Sequence, residues 1–423
     1  MSANNSASEV YPAPHFEGSE KRVELDFDAA SEAGSLRAIP RSDLDAMLRL
    51  AACEIVSLRQ NDEFDAYVLS ESSLFIYPTK MVLKTCGTTR LLNAVPRMIE
   101  LAAARGLEVV RCKYSRASFL FPDNQPAIYQ NWDDEVAFLD AQFAAFPHGA
   151  HTYVMGDAAH GLQWHVYVAD VEGEAPPHRQ HSIPFKLEIC MTELDEAKAA
   201  QFYRTADFVS APATTEATGI RSVFPRATID DYVFEPCGYS MNGLEGGTFS
   251  TIHVTPEPEC SYASLEVCSL GASPAEHFRP SHVVRRAAEI FGPGRMTVAI
   301  SVPCGRLAAQ LAWCGRQLHA PRGYEMDLLH IEDLGAGGRV AFVHLTAEGR
   351  AAERPRGSHG VEAAAADADT GASSPVSDGD ERMPHISEAW VHRIKADGYL
   401  VERSSTPVFV PVGSGQDAQD AQR

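Results

Sequence analysis

Short stretches in which apolar and polar residues alternate recur along most of the chain, and they commit it to a fold built on sheets. In Arg22-Val23-Glu24-Leu25-Asp26-Phe27 every second residue is apolar and the others are charged, the pattern of a strand with one face toward a core. Strand patterns follow at 66–69 and 74–77, with a turn at Pro78-Thr79-Lys80 and a return at 81–83. Others lie at 163–171, 248–255, 261–267, 296–302 and 340–345. Helical spacing interrupts them irregularly. Leu44, Met47, Leu48 and Ala51 recur after Pro40, with Ser42 as the expected N-cap. A second helix is expected over 91–105, closed by Gly106, and others over 194–202 and 280–290. Strands that outnumber helices without alternating regularly with them predict an α+β fold of mainly antiparallel sheets. No GxGxxG or GxxxxGK[ST] stretch occurs, so neither a dinucleotide nor a P-loop site is indicated.

Hydrophobic residues make up 45% of the chain, enough for a sizeable core. The formal charge of −21 argues against a nucleic-acid or anionic-membrane binder, which needs a basic footprint. A small cationic ligand is compatible with it. The nine cysteines are odd in number, scattered and without a CxxC pair, so neither a disulfide framework nor a metal site is expected. No basic segment leads into an apolar one at the N-terminus and no run is long enough to span a membrane, so a cytoplasmic protein is expected. Residues 1–13, small and polar, are expected to be disordered.

The residues able to do chemistry are individually uninformative. Ser70-Glu71-Ser72-Ser73 sets hydroxyls beside a carboxylate between strands, which is ordinary turn composition. Gly238-Tyr239-Ser240-Met241-Asn242 approaches a nucleophile elbow but lacks the closing glycine. Cys86, between Thr85 and Gly87 at a strand end, reads first as a buried filler. His253 shares a strand face with Thr251 and Thr255, as structural histidines often do.

In order along the chain, however, these segments resemble one family. Tyr67-Val68-Leu69-Ser70-Glu71-Ser72-Ser73-Leu74-Phe75, then Leu83-Lys84-Thr85-Cys86-Gly87-Thr88-Thr89, is similar to the signature of eukaryotic S-adenosylmethionine decarboxylase proenzymes. So are Pro236-Cys237-Gly238-Tyr239-Ser240-Met241-Asn242-Gly243 and Thr251-Ile252-His253-Val254-Thr255-Pro256-Glu257-Pro258-Glu259. Shorter matches are His15-Phe16-Glu17-Gly18 with Glu20-Lys21, and Thr218-Gly219-Ile220-Arg221.

The resemblance implies a four-layer αββα sandwich over residues 14–346, two mainly antiparallel sheets flanked by helices. It implies that the chain cuts itself between Glu71 and Ser72, giving a β chain of 1–71 and an α chain from 72. Ser72 would become a covalent pyruvoyl group, the pyruvate cofactor that forms a Schiff base with S-adenosylmethionine. Decarboxylated S-adenosylmethionine and CO2 would be the products, supplying aminopropyl groups for spermidine and spermine. By the same likeness Ser240 and His253 serve processing, with the imidazole as base. Cys86 would donate the proton that replaces CO2, and Glu17 and Glu20 fall in the same catalytic set. Phe16 and Phe234 would sandwich the adenine, Glu257 would bind the ribose hydroxyls, and the backbone of Leu69 and Glu71 would hold the base.

Two departures from the animal pattern stand out. The loop at Glu245-Gly246-Gly247 is one residue shorter. In the buried charged site that takes putrescine in animal enzymes, two carboxylate positions are expected at Ala213 and Ala217, while Glu24, Lys84 and Glu266 remain. Arg22 and Lys113 stand where plant-type enzymes carry arginines, so processing and activity without putrescine are expected. A low-complexity linker is expected over 347–383 and a C-terminal extension over 384–423. Family members include monomers and homodimers, and either is open here. The competing readings are an inactive paralogue regulating a partner decarboxylase, which should have lost Ser72, Cys86, Ser240 or His253, and a hydrolase, for which no base-and-orienter pattern is found.

Overall fold

The computed structural model describes residues 16–29, 34–157, 162–171, 185–204, 210–269, 279–302 and 320–349, with the backbone of 392–395 and 398–402. The expectations for 1–13, for His15, and for nearly all of the linker and extension lie outside these residues.

Two antiparallel sheets form the body of the chain. The first contains β1 (Lys21–Ala29), β2 (Ile55–Gln60), β3 (Asp65–Leu69), β4 (Ser72–Ile76), β5 (Lys80–Thr85), β6 (Leu107–Ala117), β7 (Ala150–Met155) and β8 (Trp164–Asp170), in the order β2-β3-β4-β5-β1-β6-β8-β7. The second contains β9 (Phe185–Thr192), β10 (Thr228–Val233), β11 (Tyr239–Glu245), β12 (Thr248–Thr255), β13 (Tyr262–Ser269), β14 (Arg295–Val302), β15 (Tyr324–Asp333) and β16 (Arg339–Ala347). Its order is β10-β11-β12-β13-β9-β14-β16-β15, continued by β18 (Gly398–Glu402) and β17 (His392–Lys395).

Alternation explains the layering. Val23, Leu25, Leu74, Ile76, Met81 and Leu83 point to one side of the first sheet and pack under α1 (Arg41–Leu50), α2 (Val95–Ala103) and α3 (Trp132–Phe143). On the second sheet Leu187, Ile189, Ile252 and Leu265 pack under α4 (Glu196–Ala199), α6 (Ile220–Val223) and α7 (Pro280–Phe291). Burying each such side chain is worth about 1.5–3 kcal/mol. The opposite faces meet each other, as in the stacking of Phe75 on Phe249 at 3.8 Å. This is the expected α+β sandwich, with helices outside two facing sheets.

Local differences have local causes. Pro40, not Ser42, occupies the N-cap of α1, its carbonyl accepting from the Asp43 and Leu44 amides. The expected helix over 91–105 begins as a 3-10 turn, Leu91–Ala94, and becomes α-helical only at Val95, with Pro96 in the first turn where no donor is needed. Strands β9 and β11, buried along nearly their whole length, are not among the expected strands, although Phe185, Leu187, Ile189 and Met191 of β9 alternate with Lys186 and Glu188.

Candidate active site

Strands β3 and β4 form a hairpin whose last pair is Leu69 opposite Ser72, leaving Ser70 and Glu71 at its tip. Ser72 has φ = +119°, outside the range side-chain-bearing residues favour, a strain worth about 1–3 kcal/mol. Plain alternation would send its side chain toward the helices with Leu74 and Ile76. Instead Ser72 Oγ faces the second sheet: it donates to Glu20 Oε1 at 3.1 Å and lies 3.2 and 3.4 Å from His253 Nδ1 and Nε2. The carbonyl of Glu71, on the bond preceding Ser72, accepts from the Cys86 amide at 3.2 Å.

His253 comes from β12. Its Nδ1 is 2.6 Å from Glu20 Oε1, and its Nε2 is 3.0 Å from Ser73 Oγ and 3.2 Å from Thr251 Oγ1. Ser73 in turn donates to Asn242 Oδ1 at 2.7 Å. Ser73 and Asn242 were not singled out in the sequence, although both lie inside the motifs; the one signal was the shared face of Thr251 and His253. Burial alone would raise the Glu20 carboxyl, but the Lys84 ammonium at 2.9 Å and His253 outweigh it and hold Glu20 well below the usual carboxylate range. Glu20 is therefore an anion set between the imidazole and the Ser72 hydroxyl.

Cys86 is buried, and burial pushes its thiol well above the ordinary value, with Glu20 adding to the rise. It is a thiol at neutral pH. Thr89 Oγ1 donates to its carbonyl at 2.7 Å, and the Gly87 amide donates to Glu17 O at 2.8 Å. Gly87 has φ = +62°, and a Cβ there would come within 3.3 Å of the Phe16 ring.

The remaining predicted residues divide. Ser240 stands directly opposite His253 across the β11–β12 pair, but its hydroxyl is not among the partners of Ser72 or His253. The Glu17 carboxylate accepts from the Ser19 and Phe121 amides, both at 2.8 Å, and does not reach Ser72. It meets the Cys86 turn through its carbonyl, which accepts from the Gly87 amide. Phe16 is 39% exposed against Gly87, and its amide bonds Cys260, whose own amide donates to the Glu257 carbonyl. Phe234 lies edge-on to Tyr232 with its amide on the Gly238 carbonyl.

Behind Glu20 runs a chain of buried charges. Lys84 also reaches Glu266 at 3.1 Å, and Arg22 joins Glu266 and Glu24, each at 2.9 Å. Lys80 closes on Glu24 at 2.6 Å. The expectation for Ala213 and Ala217 is corrected here. Both sit on α5 (Ala211–Ala217), exposed and outside the interlayer. The interlayer instead receives Lys186 and Glu188 of β9, paired at 2.6 Å. Lys113 lies buried among these charges; burial, and then Lys186, lower its ammonium to about 7.

The chain matches the model of the adenosylmethionine decarboxylase family over residues 13–346. It is 42% identical to the S-adenosylmethionine decarboxylase proenzyme of Zea mays over 348 residues, 80% of this chain and 84% of that one. The proenzyme of Ipomoea nil is 42% identical over 340 residues, 79% and 90% of the two chains. Proenzyme 2 of Brassica juncea is 43% identical over 290 residues, 67% and 78%. Among solved structures, the AdoMetDC-delta26 monomer of Trypanosoma brucei aligns at 24% identity and a TM-score of 0.49, covering 65% of this chain and 99% of that one. Matches of this length and identity establish that the chain belongs to the adenosylmethionine decarboxylase family.

Proposed function

We propose that the chain cleaves itself between Glu71 and Ser72, turns Ser72 into a pyruvoyl group, and decarboxylates S-adenosyl-L-methionine to S-adenosylmethioninamine and CO2, the aminopropyl donor for spermidine and spermine. The observation that carries this reading is the strained Ser72, whose hydroxyl meets Glu20 and His253 while the Glu71 carbonyl rests on the Cys86 amide.

Cleavage uses only the chain's own atoms. Ser72 Oγ, its hydroxyl proton drawn toward Glu20, attacks the Glu71 carbonyl carbon, and that proton passes to the Ser72 nitrogen as the C–N bond breaks; the Cys86 N–H is already aimed at the oxygen on which charge develops. The amide becomes an ester, relieving part of the strain at Ser72. His253, within reach of position 72, takes the Cα proton as the ester departs. Residues 1–71 leave with a new carboxyl end, and the dehydrated residue 72 takes up water and releases ammonia. The fragments stay together because β1 of the first is paired with β5 and β6 of the second, and β3 with β4.

Position 72 suits the pyruvoyl group: it is buried and lined by Glu20, Ser73 and His253, which supply both donors and acceptors. When formed, the group supplies the ketone that draws electrons from the substrate as CO2 leaves. Cys86, held as a thiol, protonates the carbon that has lost CO2. Phe16 and Phe234 stack on the adenine, Leu69 and Glu71 hold its edge by backbone, and Glu257 takes the ribose. Ser72, Cys86, Ser240 and His253 are all present, so nothing favours an inactive paralogue. No helix among the described residues is long and apolar enough to cross a membrane, and we read the enzyme as cytoplasmic. CO2 release from carboxyl-labelled substrate tests the activity. Turnover by the cleaved chain but not by Ser72→Ala supports it, and equal rates would contradict it.

The reading extends to the interlayer, which is plant-type: neither processing nor activity requires putrescine. Arg22 and Lys186 supply cations among Glu24, Glu188 and Glu266, with Lys113 buried beside them and lowered to about 7. The cavity left there, bounded by Glu20, Arg22, Ser115 and Glu188, has room for about one water molecule, not a diamine. Unchanged rates on adding putrescine support this; a clear increase would refute it.

A further inference from the structure

Lys21 is 0% exposed and lies outside the charge network behind Glu20. Its Nζ donates to the Gly87 carbonyl at 3.0 Å and to Gln125 Oε1 at 3.1 Å, over the rings of Tyr129 at 4.8 Å and Phe119 at 5.1 Å. Gln125 Nε2 donates to the same Gly87 carbonyl at 3.3 Å. A buried ammonium is costly unless a charge nearby needs it. The four direct contacts are to neutral groups, and the charges that act on the ammonium from further away are, largest first, the Cys86 sulfur, Glu17 and Glu135.

We propose that Lys21 is a positioning residue for proton delivery: it grips the turn that carries Cys86 and is the cation opposite the sulfur when the thiol gives up its proton. The inference rests on Cys86 as the proton donor. In that step the S–H bond breaks, the proton joins the electron pair on the substrate carbon, and the S–H pair stays on sulfur as a thiolate. Lys21 offsets that negative charge, which Glu20 and Glu71 oppose. The electrostatics agree. Burial lowers Lys21 to about 8 while Cys86, and after it Glu17 and Glu135, hold it up, and on Cys86 the effect of Lys21 runs against that of Glu20 and Glu71.

Lys21→Met and Lys21→Arg separate this role from simple packing. In the cleaved enzyme Lys21→Met is expected to lose about tenfold or more in kcat, the equivalent of one pKa unit on the thiol, with KM nearly unchanged. Lys21→Arg is expected to recover most of the loss. The second arm measures Cys86 alkylation by iodoacetamide against pH, with peptide mapping, in the uncleaved Ser72→Ala chain. Lys21→Met should move that profile to higher pH and Lys21→Arg should restore it. This arm needs neither cleavage nor turnover, so it reports on Lys21 even if Cys86 is not the donor, a failure the first arm alone would reveal. An unmoved alkylation profile, or arginine no better than methionine in both arms, would overturn the proposal.

Discussion

Glu20 Oε1 stands 3.1 Å from Ser72 Oγ and 2.6 Å from His253 Nδ1, so one carboxylate oxygen meets both the Ser72 hydroxyl and the imidazole beside it. Lys84 keeps that carboxylate charged from the other side.

Glu20→Gln keeps the shape and removes the charge. Cleavage of the purified chain is expected to slow by about 10²–10⁴, the usual worth of a positioned base. A gel time course measures it, and cleavage at the wild-type rate would remove Glu20 from the mechanism.

In the proposed mechanism Cys86 serves cleavage through its backbone amide, which donates to the Glu71 carbonyl, and turnover through its thiol. Cys86→Ala should therefore cleave normally and yet lose about 10²-fold or more in decarboxylation. Parallel failure of both would mean that the side chain also matters for processing.

The strain at Ser72 can be weighed in uncleaved chains. Glycine accepts φ = +119° and alanine does not, so Ser72→Gly should be more stable than Ser72→Ala by about 1 kcal/mol. Equal urea midpoints would show that the hairpin is relaxed.

How far the sequence carried the account depended on where a residue's partner lay. Strands β12 and β14 are legible in their local patterns; β9 alternates as plainly, with Phe185, Leu187, Ile189 and Met191 against Lys186 and Glu188, and yet is not among the expected strands. Ser72 was named through resemblance, but its turn toward His253 breaks the period-two pattern and depends on a φ that no spacing reveals. Lys186 and Glu188 are the charged positions of the β9 alternation, and nothing local tells whether they face solvent or a second sheet. Only the facing sheets show that both enter the interlayer, whereas Ala213 and Ala217, where two carboxylate positions of the animal site are expected to fall, lie outside it.

Lys186→Met would leave Glu188 buried without its nearest cation. A loss of about 3–5 kcal/mol is expected from stranding one partner of a buried pair. Lys186→Met with Glu188→Leu should recover most of it. Urea unfolding of the Ser72→Ala chain reads both, and equal losses in single and double variants would contradict the pairing.

Lys113 adds a pH dependence whose sign follows from its depressed value. The folded ammonium titrates near 7 against an ordinary 10.5, so between those values the unfolded chain holds the extra proton and stability rises with pH. The melting temperature of wild type should gain on that of Lys113→Met from about pH 7 to 10; a constant difference would contradict it.

The central claim is that the Glu71–Ser72 bond breaks without help. Intact mass and a denaturing gel of the purified chain test it directly. A fragment ending at Glu71 is expected, together with a second fragment in which residue 72 is a pyruvoyl group with no free amino end. A single chain that stays uncleaved on incubation would contradict it.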